Sequence, residues 1–181
     1  MSRIGNALIT LPAGVTVEVA NNAFTVKGPK GTLTQDMDPI ISMAVEGNVV
    51  KLTRANDLAD TKAKHGLYRA LCANMVKGVS EGFKKSLIVN GVGWKVAKQG
   101  NKVVLNVGFS HPVEVVEIDG IVLDCPSQTE ITVSGINKEK VGQFAAMIRS
   151  IRVPEPYHAY GIRYSDEVIE RKVGKAAGGK G

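Results

Sequence analysis

Aromatic side chains are scarce in this chain: one Trp, four Phe and four Tyr among 181 residues. Hydrophobic residues still make up 44% of it, so its interior must be packed mostly from aliphatic side chains. Cysteine is scarcer. Cys72 and Cys125 stand far apart in apolar company, whereas a disulfide scaffold needs more cysteines and a zinc site needs paired spacings. Both read as small buried hydrophobes in a reducing cytosol. No apolar run approaches the ~20 residues that cross a bilayer. The opening Met1-Ser2-Arg3-Ile4-Gly5-Asn6 leads into no apolar stretch of a signal peptide. The expectation is a soluble, cytoplasmic protein without a membrane partner.

Catalytic constellations are missing as well. His65, His111 and His158 have no local Cys or carboxylate at metal-ligand spacing. His65 is expected on a basic helix face and His111 in a turn, both solvated or facing a partner at the surface. Asp36 and Asp38 form a close carboxylate pair before Pro39 but lack further metal ligands. No Gly-x-Ser-x-Gly elbow occurs. The stretch Gly174-Lys175-Ala176-Ala177-Gly178-Gly179-Lys180-Gly181 resembles a phosphate-binding loop, yet Gly181 stands where Ser or Thr must hold magnesium. It reads better as a mobile basic arm carrying Arg171, Lys172, Lys175 and Lys180. No enzyme activity, cofactor, metal or small-molecule substrate is expected.

What is present is a modest excess of positive charge. Lys plus Arg outnumber Asp plus Glu by 23 to 17, and the isoelectric point is near 9.3, a balance that favours a polyanionic partner. Residues 1–82 hold nine basic and seven acidic groups, and residues 83–181 hold fourteen and ten. The excess is therefore larger in the second half.

The chain is long enough for two small domains, and its pattern reads as one unit written twice. In the first half Val15, Val17 and Val19 alternate with polar residues, Phe24-Thr25-Val26-Lys27 leads into the turn Gly28-Pro29-Lys30-Gly31, and Val49 to Thr53 forms a strand. A helix follows from Asp60 to Val76, stopped by Gly78. In the second half Trp94 to Val96, Lys102 to Val107 and Glu130 to Gly135 are strands, with a turn at Gly108-Phe109-Ser110-His111-Pro112. Asn137 caps a helix from Lys138 to Ile151, ended by Pro154. The spacing predicts an α+β chain of two similar tandem domains, each an antiparallel β-sheet packed with an α-helix. The first covers 1–80, the second covers 83–172, and a flexible basic C-terminal tail covers 173–181.

The most informative stretch is Arg149 to Tyr164, with three arginines, three tyrosines and one histidine in sixteen residues. Pro154 and Pro156 stiffen an extended path, and Gly161 allows close backbone approach. Arginine forks hold phosphates and flat rings stack on splayed bases. Equally, the tyrosines would serve to cover the end of a small core. Arg152 and Arg163 are both expected at the surface.

The run Pro154-Glu155-Pro156-Tyr157, followed by Gly161-Ile162-Arg163-Tyr164, resembles the C-terminal signature of the sixth large-subunit ribosomal protein family, bacterial type. Ser2-Arg3-Ile4-Gly5, Val26 to Gly31, Gly66 to Leu71, Asn90 to Lys95 and Gly108 to Val113 resemble further landmarks of that family, in order. The resemblance implies a structural protein of the large ribosomal subunit. Its implied partners are large-subunit rRNA and neighbouring large-subunit ribosomal proteins near the stalk base, where translation factors dock. Binding would fall mainly to the C-terminal domain and tail. The expected RNA-binding set is Lys84, Lys85, Trp94, Lys95, Ser110, His111, Arg149, Arg152, Tyr157, His158, Tyr160, Arg163, Tyr164, Arg171, Lys172 and Lys175. The chain departs from the family pattern at His158-Ala159-Tyr160, where Lys-Gly-Lys is usual, so two charges are missing. A nucleotide-dependent enzyme and an RNA-binding regulator free of the ribosome are the rival classes.

Overall fold

The computed structural model describes residues 3–175; Lys180 and the rest of the expected arm beyond Lys175 lie outside the described residues. The chain divides into two compact units, one reaching to Phe83 and including Ile136–Lys138, the other comprising Lys84–Gly135 and the chain from Glu139 onward.

The first unit contains β1 (Ile9–Thr10), β2 (Thr16–Ala20), β3 (Ala23–Gly28), β4 (Gly31–Asp36), β5 (Ile41–Glu46), β6 (Val49–Arg54) and α1 (Ala59–Ser80). Two three-stranded antiparallel sheets form, in the orders β2-β3-β4 and β1-β6-β5. Asn21 and Asn22 join β2 to β3, both with positive φ, 48° and 58°. Such a two-residue turn matches the twist of the strands, and Asn tolerates it better than most side chains. The alternation of Val17, Phe24, Val26, Val50 and Leu52 then faces one core beneath α1, which takes in Cys72, Val76 and Val79. Burial pushes the Cys72 thiol up to about 11, as befits an inert core residue.

Two expectations for α1 fail. The helix does not stop at Gly78 but runs to Ser80. A Cβ at Gly78 would come 2.0 Å from the Ile136 carbonyl oxygen, within the same unit. The glycine is there for close packing, and the helix ends where Gly82 turns with φ 83°. His65 is not on a solvated or RNA-facing surface either. It is 1% exposed, donates from Nε2 to the Leu52 carbonyl at 3.1 Å and receives Arg54 Nη1 at Nδ1, also 3.1 Å. The ring ties α1 to β6, a role that helical spacing alone does not reveal.

Apart from the first residues of β7 and α2, the second unit contains β7 (Phe83–Asn90), β8 (Lys95–Gln99), β9 (Lys102–Asn106), β10 (Val113–Val116), β11 (Ile121–Ser127), β12 (Glu130–Gly135), α2 (Lys138–Ile151) and β13 (Gly161–Tyr164). Its sheets run β10-β9-β8 and β11-β12-β7-β13. The first matches β2-β3-β4 in form, and β7-β12-β11 matches β1-β6-β5, so the two similar α+β units are present. The buried hydrophobic side chains of this unit are aliphatic, among them Leu87, Leu105, Leu123, Ile131, Ile148 and Ile162, with Phe144 its one buried aromatic ring among the described residues. Cys125 departs from expectation: it is half-buried in β11, beside a register shift between Asp124 and Ser127 that accommodates Pro126. The addition in the second unit is β13, a strand where a loop is the natural reading of Gly161 to Tyr164. It pairs antiparallel with β7, Ile162 opposite Val89 and Tyr164 opposite Leu87.

His65→Ala is expected to destabilise the protein by about 2–4 kcal/mol, because it opens a cavity and strips the Leu52 carbonyl of its partner. Urea denaturation of both proteins measures this; an unchanged midpoint would remove the ring from the core's support.

Candidate nucleic-acid interface

The second unit gathers most of the expected residues at three places. The first is built on glycine. A Cβ at Gly91 would come 2.2 Å from the Trp94 ring, and one at Gly108 would come 3.1 Å from its Nε1. The half-buried indole thus lies against two backbones that no other residue would supply. Arg152, exposed just beyond α2, sets its guanidinium carbon 5.7 Å from the Trp94 ring centre and 5.3 Å from that of Phe109. Phe109 stacks in turn on His111, with ring centres 6.2 Å apart, and Ser110 lies beside that imidazole. Cation–π contacts at exposed positions are worth about 0.5–1 kcal/mol each, enough to bias where a long side chain points. Phe109 is the member missing from the expected site residues; the turn Gly108 to His111 is the signal that points to it.

The second place is the turn after α2. Glu155 organises it with its carboxylate, which accepts the backbone N–H groups of Tyr157 at 2.8 Å, of His158, and of Tyr160 at 3.4 Å. Burial opposes ionisation of this carboxyl, but the three amide bonds outweigh it and hold its pKa below the ordinary value. Ala159 donates to the Glu155 carbonyl at 3.1 Å and adopts φ 60°, a conformation that costs a non-glycine residue roughly 1 kcal/mol or more. Asn90 secures it by donating to the Ala159 carbonyl at 3.1 Å. A Cβ at Gly161 would come 2.4 Å from Pro154, so the close approach expected of this glycine is to its own loop. The result is an outward display of Tyr157 and Tyr160, 53% and 37% exposed, with His158 between them. Glu155 is absent from the expected set, although an acid between two prolines ahead of a turn is a usable sign.

The third place is a clamp. Glu167 receives Arg149 through both carboxylate oxygens, one of them at 2.8 Å, and the Tyr164 N–H at 3.1 Å. The Arg149 hydrogen bonds lower the Glu167 pKa and raise that of Arg149. Arg163 donates to the Glu167 carbonyl at 2.9 Å and to the Tyr164 carbonyl at 3.3 Å, and is half-buried instead of lying fully at the surface. Tyr164 is flanked by Lys85, 5.0 Å from the ring centre, and Arg149, at 5.7 Å; Lys85 also pairs with Asp166 at 3.3 Å. Tyr164 is therefore half-buried between two cations, whereas Tyr157 and Tyr160 are exposed. Among the described residues Lys84, Lys95, Arg152, Arg171, Lys172 and Lys175 form no ion pair. Lys172 is positioned by its backbone N–H on the Pro156 carbonyl, 2.8 Å.

No group of three or more His, Cys, Asp or Glu among the described residues is placed to hold a metal. No helix among them is long and apolar enough to cross a membrane. Asp38 has a structural task, accepting the Ile40 N–H and Lys64 Nζ at 3.1 and 2.9 Å.

Replacing Glu167 with Gln is expected to destabilise the second unit by about 1–2 kcal/mol at neutral pH. Since the folded carboxyl titrates below its ordinary 4.5, its contribution is full above that value and is lost as pH falls through the lowered one. The gap between wild type and Glu167→Gln in thermal melts should therefore close as the pH is taken below the ordinary carboxyl value and through the lowered one; a gap that stays constant would rule out the ion pair as its source.

The family model described as Ribosomal protein L6 matches this chain twice, over residues 11–82 and 90–165. The chain is 57% identical over 175 residues to the large ribosomal subunit protein uL6 of Streptococcus thermophilus, covering 97% of this chain and 98% of that protein. It is 55% identical to the uL6 proteins of Exiguobacterium sibiricum and Mesoplasma florum, covering 97% and 98% of this chain and 98% and 99% of theirs. Two matches in series, one on each α+β unit, together with relatives of more than half identity along nearly the whole length, mean that this chain belongs to the Ribosomal protein L6 family.

Proposed function

We propose that the second unit binds large-subunit rRNA directly, near the stalk base and the factor-docking region, and that the protein supports translation by folding and pinning that RNA. Members of a ribosomal protein family are structural and non-enzymatic, and the ribosome is their place in the cytoplasm. Its partners would be that rRNA and the large-subunit ribosomal proteins beside it, with no cofactor. The observation that carries the reading is the division of the cations. Arg149 and Arg163 are half-buried and engaged within the fold and Lys85 is paired with Asp166 at the surface, while Lys84, Lys95, Arg152, Arg171, Lys172 and Lys175 stand exposed, Arg152 among them against the rings of Trp94 and Phe109. Arg152, oriented by Trp94 and Phe109, loses less freedom on contact than an unsupported arginine. Rings and oriented guanidinium groups together suit unpaired RNA.

Filter binding of the full chain to a large-subunit rRNA transcript tests this. With six such cations at phosphates, log affinity should fall against log salt with a slope of about 4–5; a flat response would sink the electrostatic mechanism. Arg152→Ala should weaken binding about tenfold, some 1.4 kcal/mol, at an unchanged melting temperature. Arg163→Ala should instead lower the melting temperature, because it leaves the Glu167 carbonyl without its guanidinium donor. If Arg163→Ala abolishes binding while melting like wild type, the assignment of Arg163 to the clamp is wrong.

A further inference from the structure

We propose that His158 and Tyr160 form a stacking platform for one unpaired nucleobase, the base lying on the outer face of His158 as the third layer of a stack. The inference rests on the RNA-binding reading above and names what this corner of the site would hold. The two rings are already stacked, with centres 5.3 Å apart and planes 15° from parallel, within the offset arrangement that aromatic pairs prefer. The His158 side chain is 72% exposed, so a ring face remains open to solvent. Its Nδ1 lies 3.5 Å from a Glu155 oxygen, which braces the imidazole at its edge and leaves the face clear.

The backbone beneath is fixed. Glu155 accepts three amides of the turn, and Ala159, buried between the two ring-bearing residues, is held at φ 60° with its carbonyl on Asn90. A left-handed residue between them turns two neighbours that would otherwise point apart onto the same side. Every nucleobase has a flat π-face, so the occupant is an RNA base of any identity, extruded from or never part of a helix. A phosphate is the poorer fit, because Glu155 brings negative charge to the same corner.

The test is affinity of the full chain for a large-subunit rRNA transcript at two salt concentrations, with thermal melts alongside. His158→Ala should weaken binding about tenfold, since base–aromatic stacking of this order is lost on truncation, without changing the salt slope. His158→Phe should bind within about twofold of wild type, because it keeps the ring. His158→Lys should fail to restore affinity and should leave the salt slope as in wild type. Should His158→Ala melt early, Tyr160→Phe and Tyr160→Leu read the second layer in the same way, the first retaining affinity and the second losing it. The proposal is overturned if His158→Ala binds like wild type, or if His158→Phe is as weak as His158→Ala. A His158→Lys protein that matches wild type where Phe does not would mean a phosphate contact instead. Wild type that fails to bind at all overturns the RNA-binding reading itself, and the platform with it.

Discussion

Four residue pairs between Leu87–Asn90 and Gly161–Tyr164 hold the features that set the second unit apart from the first. Without that added strand, the chain leaving α2 has no reason to return along β7. With it, the intervening turn has both ends anchored: the Ile162 N–H reaches the Arg152 carbonyl at 2.7 Å, and Gly161 lies on Pro154. A closed loop of this length then needs only one internal acceptor to become rigid, and Glu155 supplies it. The ladder itself is made of ordinary antiparallel pairing; its leverage comes from where it ends.

Carboxylates, and not cations, give this basic region its shape. Glu155 satisfies the amides of the turn, and Glu167 collects Arg149 and lends its carbonyl to Arg163. Glu167 thereby takes Arg149 and Arg163 from the pool available to a partner, while both acids fix the position of their neighbours. A positively charged surface that organised itself without such acids would hold its side chains apart by repulsion and leave them mobile. The sequence tally of charge is therefore a poor measure of what the surface offers, because two of its arginines are internal struts.

Much of the fold is legible in the amino-acid pattern. The alternation at Val15 to Val19 and at Lys102 to Val107, and the periodicity of Val141, Phe144, Ala145 and Ile148, name strands and a helix through the spacing of buried faces alone. The twofold repeat is visible in the same pattern. What the pattern conceals has physical reasons. Strands β4, β5 and β10 carry weak alternation, so the spacing of buried faces does not mark them. Gly78 resembles a helix stop because glycine usually serves that purpose, whereas here a neighbouring carbonyl demands the space. His65 sits on a polar-looking helix and is buried only because Leu52 and Arg54, distant in sequence, meet both ring nitrogens. At the site, residue types point to the right stretch. They do not divide Arg149 and Arg163 from Arg152, since that division depends on Glu167, eighteen residues from the first of these.

The register shift in β11 bears on the life of the chain before it meets any partner. β11 is the outer strand of its sheet, and an outer strand offers unpaired amides and carbonyls to any other extended chain. Pro126 has no amide to offer, and the irregularity between Asp124 and Ser127 interrupts the straight row that a second strand would need. Asp124 adds a charge beside it. A ribosomal protein is made away from its site and must remain unaggregated in the interval. This edge gives it a defence against sticking to its own copies that leaves the exposed rings and cations of the domain untouched.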